Sequence, residues 1–193
     1  MTRPFIVFAM PRARSAWLSA FLTYGEWTCI HEMSVAFGQI SDLDKILSRP
    51  RTGVCDTQLA LCWPEVIGRW PQAKLVVLRR PKAEVVRSCE ALGWHGPMLE
   101  RAVDRLSLAL DEVSTLKGVL CTSFQELKHE SKARSVFEHC LPCAWDPGWW
   151  EHTKDLNIQI RPEVLIARAQ ANRLGIERTF GRATAYYDSR VLQ

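Results

Sequence analysis

Phe5-Ile6-Val7-Phe8-Ala9-Met10-Pro11-Arg12-Ala13-Arg14-Ser15-Ala16-Trp17-Leu18 is the stretch whose reading decides the fold. Its opening run is apolar without alternation, the pattern of a strand buried on both faces of a parallel sheet. The run empties into the basic turn Pro11–Ser15, and Trp17, Leu18, Phe21 and Leu22 then recur at helical spacing. Strand, basic turn and helix together read as an anion site in preference to a merely structural turn. Backbone N–H groups and the positive end of the helix dipole face the turn, and Arg12, Arg14 and Ser15 add side-chain donors. The turn lacks G-x-x-x-x-G-K-[ST], so it is not the loop of the nucleoside triphosphatases.

A second junction of the same kind follows. Lys74-Leu-Val-Val-Leu-Arg79 reads as another buried strand and runs into Arg80-Pro81-Lys82-Ala83-Glu84-Val85-Val86-Arg87-Ser88. Pro81 suits the first turn of a helix, where its missing N–H would have no partner anyway. Val85, Val86, Cys89 and Leu92 give that helix an apolar face ending at Gly93. An Arg at the strand end and Ser88 one to two turns later can clamp one phosphate; both Arg79 and Arg80 stand at the right place. Ligands of open α/β sheets bind at the C-terminal edge of the strands, where both junctions would lie.

Strand-like runs recur at Phe5–Ala9, Thr28–His31, Gly53–Asp56, Leu75–Leu78, Gly118–Thr122 and Leu156–Ile160. Helical patterns separate them at Ser15–Tyr24, Ser41–Leu47, Gln58–Trp70, Ala83–Leu92, Met98–Leu116, Phe124–His139 and Pro162–Arg173, with Pro64 marking a start or a kink. The alternation predicts one α/β domain over residues 1–193, a three-layer α/β/α sandwich around a mostly parallel sheet. Met98–Leu116 carries the clearest helical spacing, through Leu99, Ala102, Val103, Leu106, Leu110 and Val113. Around Trp145, Trp149 and Trp150 the pattern is irregular; these rings either line a cleft or pack on the core. Residues after Gly175 are weakly patterned and read as a tail or an oligomer contact.

Composition narrows the function classes. With 193 residues the chain can bury a sizeable core. A net charge of +4 is too mild to argue for nucleic acid. The cations cluster instead at Arg12, Arg14, Arg79, Arg80, Lys82 and Arg87, which suits a small polyanion. No apolar run approaches the ~20 residues of a membrane helix, and no signal peptide precedes the first strand, so a cytoplasmic, membrane-free protein is expected. Seven cysteines, an odd number lying mostly in apolar patterns, read as reduced core thiols. Cys140 and Cys143 beside His139 have no second ligand pair, and no metal is expected.

Pro11-Arg12-Ala13-Arg14-Ser15-Ala16-Trp17-Leu18 resembles the 5′-phosphosulfate loop of the sulfotransferases, which use 3′-phosphoadenosine 5′-phosphosulfate (PAPS). Arg14 replaces the usual glycine, so its side chain must point outward or itself act as a ligand. The Arg79/Arg80–Ser88 run is similar to the family's 3′-phosphate element, Arg-x-Pro-x-Asp-Val-x-x-Ser. The resemblance implies the P-loop-like sulfotransferase fold and a PAPS site made of Pro11, Arg12, Ala13, Arg14, Ser15, Ala16, Trp17, Arg79, Arg80 and Ser88. It also implies that Arg12 acts on the leaving oxygen during in-line sulfuryl transfer to an acceptor that the sequence does not identify. The family's C-terminal Gly-x-x-Gly-Asp-Trp-Lys element is missing.

Cys29-Ile30-His31-Glu32 matches the Cys-x-Glu-Glu element of the tyrosylprotein-type branch, which implies Glu32 as the base, with His31 second. The plainer role of His31-Glu32 is to cap the chain from Ser34 onward. Asp56, at another strand end, is placed to orient Arg12 or an acceptor. Two alternatives share the fold class: a P-loop-type kinase of a small molecule or nucleotide, and a nucleotide-binding module without activity, which Arg14 in the glycine position favours.

Overall fold

The computed structural model describes residues 3–160 and 162–191. Five parallel strands form one sheet in the order β2-β3-β1-β4-β5: β1 (Phe5–Ala9), β2 (Thr28–His31), β3 (Thr52–Asp56), β4 (Lys74–Arg79) and β5 (Leu120–Ser123). The central strand β1 is buried throughout, as its unbroken apolar run requires. It pairs Phe5 with Gly53 on one side and with Lys74 on the other. A Cβ on Gly53 would run into the Phe5 ring, so this register needs a glycine there.

Helices cover both faces. On one, α1 (Ser15–Phe21), α6 (Glu130–Cys140) and α7 (Pro147–Thr153) meet through aromatic rings. Phe21 lies 5.7 Å from Phe137 and 6.2 Å from both Trp145 and Trp150. Trp149 donates from its indole nitrogen to the Phe21 carbonyl. The three tryptophans therefore close the core, and none of them lines the cleft described below. Asp146 caps α7 by accepting from the Trp149 N–H at 3.1 Å, with Pro147 in the first turn.

On the other face lie α4 (Lys82–Glu90), α5 (Pro97–Ser114) and α9 (Arg173–Val191). Val103, Leu106, Ala109, Leu110 and Val113 are the buried stripe of α5. Its start depends on Gly96, whose φ of 101° suits a glycine, and on Pro97. The segment after Gly175 is a helix rather than a tail: Phe180 and Tyr187 of α9 are buried. Glu112 of α5 accepts from Tyr187, Trp63 and Arg190.

Several expected helices divide. Ser41–Leu47 resolves into a 3-10 turn, Ile40–Leu43, and α2 (Asp44–Leu47). The Gln58–Trp70 pattern becomes a 3-10 turn, Gln58–Cys62, and α3 (Trp63–Arg69) with Pro64 in its first turn. Phe124–His139 likewise becomes the turn Glu126–Lys128 followed by α6.

Leu156–Ile160 is the clearest departure. It is not a strand, and forms an unpaired strap between α7 and α8 (Pro162–Ala171). It lines the cavity described below instead of joining the sheet. Among the described residues no helix is long and apolar enough to cross a membrane.

Candidate active site

The Pro11–Ser15 turn leaves the C-terminal end of the central strand, with β3 and β4 beside it. Chain order reverses around this strand, which is where open α/β sheets form their crevice. A cavity of about 650 Å³ opens there, lined by the turn, by Arg80 and Ser88, by His31 and Glu32, and by the strap.

Backbone strain concentrates at this cavity. Among the described residues the non-glycine positions with positive φ are Arg12 (60°), Arg14 (70°), Glu32 (50°) and Arg51 (54°). Only Arg51 lies outside the lining. A left-handed residue with a Cβ costs roughly 1–2 kcal/mol, so surrounding contacts must hold each in place.

Those contacts distinguish the cations. Arg12 donates from Nε to Ser88 Oγ at 3.1 Å and from Nη2 to Gln159 Oε1 of the strap at 3.1 Å. Arg80 donates to the Arg12 carbonyl at 2.6 Å and pairs with Glu84 at 3.2 Å. The two basic junctions, distant in sequence, are thus in direct contact.

Arg14 behaves differently. Its guanidinium donates to the carbonyls of Lys154 and Leu127 and lies 4.1 Å from the Trp17 ring centre. It ties the turn to the chain before the strap, and burial lowers its pKa. A glycine's freedom is replaced here by a strut. Trp17 assists, donating from its indole to the Thr153 carbonyl at 2.8 Å.

Arg79 and Arg80 separate cleanly. Arg79 donates to Ser114 and pairs with Asp111 of α5 at 2.8 Å, away from the cavity. Arg80 lines the cavity with Ser88. Successive residues at a strand end point to opposite faces, so only one of the two can reach this site. Sequence reasoning missed Lys128 and Phe124: both the Arg80 guanidinium and the Lys128 ammonium lie over the Phe124 ring, at 4.3 and 4.8 Å.

Facing the cations is an acidic wall. Glu32 is buried and accepts from Thr57 Oγ1 at 2.9 Å. His31 Nε2 lies 3.0 Å from Ser15 Oγ and 3.7 Å from Glu32 Oε1, while its buried Nδ1 has no hydrogen-bond partner. Burial pushes the His31 pKa down to about 4, leaving the ring neutral at pH 7. Burial, reinforced by the charge of Asp56, pushes Glu32 well above the usual carboxylate range.

Asp56 does not orient Arg12. It is fully buried and accepts from the N–H and hydroxyl of Ser34 and from the N–H groups of Gln58 and Leu59. Asp56 therefore caps the turn that begins near Ser34, and Glu32 makes no side-chain cap. Burial pushes Asp56 upward too, but its four donors oppose that rise.

Of the residues read from the sequence, Pro11, Arg12, Arg14, Ser15, Ala16, Trp17, His31, Glu32, Arg80 and Ser88 line one cavity, while Ala13 is buried beneath the turn. Among the described residues no three His, Cys, Asp or Glu side chains gather as a metal ion would need. Comparison with known proteins found no family model that matches this chain and no curated protein that matches it.

Proposed function

We propose that this chain transfers a sulfuryl group from PAPS to an acceptor. One observation carries the reading: the two basic strand-end junctions that resemble the family's phosphate elements converge on one cavity, joined by the Arg12–Ser88 hydrogen bond. A bisphosphorylated nucleotide needs cations and hydroxyls in just such a cluster, and Arg12, Arg80, Lys128, Ser15 and Ser88 fit its anionic groups.

The phosphosulfate supplies an activated sulfuryl group, and the protein's part is alignment and charge stabilisation. Arg12, always charged, holds the leaving phosphate oxygen. Ser88 and Arg80 hold the 3′-phosphate. Arg14 keeps the turn in its strained shape and is not itself a phosphate ligand. Glu32 takes the acceptor's proton, with His31, neutral and adjacent, as the second base. Burial raises the Glu32 pKa, so activity is expected to rise with pH as that carboxyl ionises.

The discriminating measurement is a thermal-shift comparison of 3′-phosphoadenosine 5′-phosphate, AMP, and ATP with magnesium. A ligand at ~100 times its Kd stabilises the fold by ~2.7 kcal/mol. The bisphosphate should give the largest shift. A larger shift with ATP and magnesium would favour phosphoryl transfer instead. Equal shifts with AMP and the bisphosphate would remove the 3′-phosphate site.

A further inference from the structure

The strap is anchored firmly at its start and thinly after it. Arg14 and Trp17 donate to the carbonyls of Lys154 and Thr153, at 2.9 and 2.8 Å, and the Leu156 N–H donates to the Thr153 carbonyl. Beyond Leu156 this support ends. Among the described residues no backbone hydrogen bond joins residues 157–160 to the rest of the fold. Leu156 and Ile158 are 43% and 36% exposed, so apolar burial adds little. Among the described residues, the hydrogen bond that ties this segment to the fold runs from Arg12 Nη2 to Gln159 Oε1, at 3.1 Å.

Both partners in that bond are oriented for it. Gln159 donates from its amide nitrogen to Asn157 Oδ1 at 3.1 Å, which turns its oxygen toward Arg12. Arg12, held at a φ of 60°, donates from Nε to Ser88 Oγ. An arginine grips an oxyanion through two nitrogens in parallel, and each of its two forks includes Nη2. Gln159 stands on that shared nitrogen. Its neutral amide oxygen cannot balance the guanidinium charge, whereas a charge-assisted bond to a phosphate oxygen is roughly twice as strong.

We propose that Gln159 is a displaceable latch that competes with a phosphate-type anion for Arg12. While Gln159 holds Arg12, the strap is drawn against the cleft; an anion that takes Arg12 frees residues 157–160. Arg14 keeps the start of the strap in place, which confines the release to the segment after Leu156. This rests on Arg12 being an anion ligand, as in the proposed function, and not on the chemistry that follows. Opening the latch uses part of the anion's binding energy, so apparent affinity falls with the fraction of molecules in which Arg12 is free. A segment that closes on its ligand gains protection when the ligand binds. A latch displaced by the ligand loses it.

Calorimetry and limited proteolysis of the full chain test this, with inorganic pyrophosphate as the first probe and 3′-phosphoadenosine 5′-phosphate as the second. Gln159→Ala removes the latch and should bind both probes about three- to fivefold more tightly than wild type, the scale of one modest hydrogen bond. In wild type, saturating pyrophosphate should speed chymotryptic cleavage after Leu156, identified by mass spectrometry. In Gln159→Ala that cut should be fast with or without the anion. Unchanged or weaker affinity in the alanine variant, or unchanged or slower cleavage of wild type with pyrophosphate, overturns the latch. If pyrophosphate behaves as expected and the nucleotide does not bind, the latch stands and the transferase reading fails. Binding of neither probe to either protein overturns both.

Discussion

Arg12, Arg80 and Lys128 reach the cleft from partly or fully exposed positions on turns, whereas Glu32 meets it from inside the core and Asp56 is fully buried nearby. The cations make few contacts that the fold depends on: among the described residues the Arg12 guanidinium bonds to side chains at the rim, Ser88 and Gln159. Of the acids, Asp56 is woven into it, holding the turn that follows β2. Charge on the exposed wall is therefore available to a ligand. On the buried wall, charge is bound up with stability. The same substitution logic should give different outcomes on the two sides.

Glu32→Gln and Arg12→Ala should show the largest effects. If Glu32 is the base, the glutamine variant should lose ~10²–10⁴-fold in turnover and keep its affinity for the nucleotide. Arg12→Ala should lose ~10²–10³-fold, as for one transition-state donor. Their stability profiles should diverge. Burial raises the folded pKa of Glu32, so its contribution is present below the unfolded value of 4.5 and is lost as pH rises through the folded value. Glu32→Gln should therefore gain stability relative to wild type on the alkaline side, whereas Arg12→Ala should not. Parallel profiles for the two variants, measured by denaturant titration at several pH values, would break the comparison between the walls.

A smaller effect is expected from His31. Its pKa falls from 6.5 unfolded to about 4 folded, so the stability linked to its neutral form is present above pH 6.5 and is lost as pH drops through about 4. That difference corresponds to about 3 kcal/mol. His31→Gln should flatten the decline by that order of magnitude. An unchanged slope between pH 6.5 and 4 would show that the imidazole is more hydrated than its burial indicates.

Ser88→Ala against Arg79→Ala is the finest of these comparisons, because it separates two residues that the sequence presents as parts of one element. Loss of the Ser88 hydroxyl should weaken 3′-phosphoadenosine 5′-phosphate about tenfold, since a hydrogen bond to a charged group contributes ~1.5–3 kcal/mol. Adenosine 5′-phosphosulfate, which has no 3′-phosphate, should bind as before. Arg79→Ala should affect neither ligand and change stability by under ~1 kcal/mol, as for other surface ion pairs. An equal loss of both ligands on Ser88→Ala would place the hydroxyl outside a 3′-phosphate site.

Much of this site was legible one element at a time. Phe5–Ala9 reads as a strand buried on both faces, and the basic turn followed by Trp17, Leu18 and Phe21 reads as the opening of a helix on its way back across the sheet. α9 was readable too: Ile176, Phe180, Ala183 and Tyr187 fall at helical spacing. Gly175 and Gly181 weakened the pattern, and its partner surface on α5 lies far away in sequence. Asp146-Pro147 carried an N-cap and first-turn signature for α7 that the crowding of tryptophans obscured.

By itself, then, the sequence pointed to the five strands of the sheet, the two basic junctions and the edge on which both fall, because these follow from local periodicity and from the handedness of parallel crossovers, though the same pattern also suggested a sixth strand at Leu156–Ile160 that does not form. Tertiary structure alone decided which of Arg79 and Arg80 faces the cavity, whether Glu32 or Asp56 is free of structural duty, and that Leu156–Ile160 crosses the site instead of joining the sheet. Each of these outcomes depends on what lies across a gap of many residues: Asp111 for Arg79, Ser34 for Asp56, Arg12 for Gln159. Partners distant in the chain leave no periodic trace in it, and burial, which lowers the pKa of His31 and raises that of Glu32, exists only once the layers have packed.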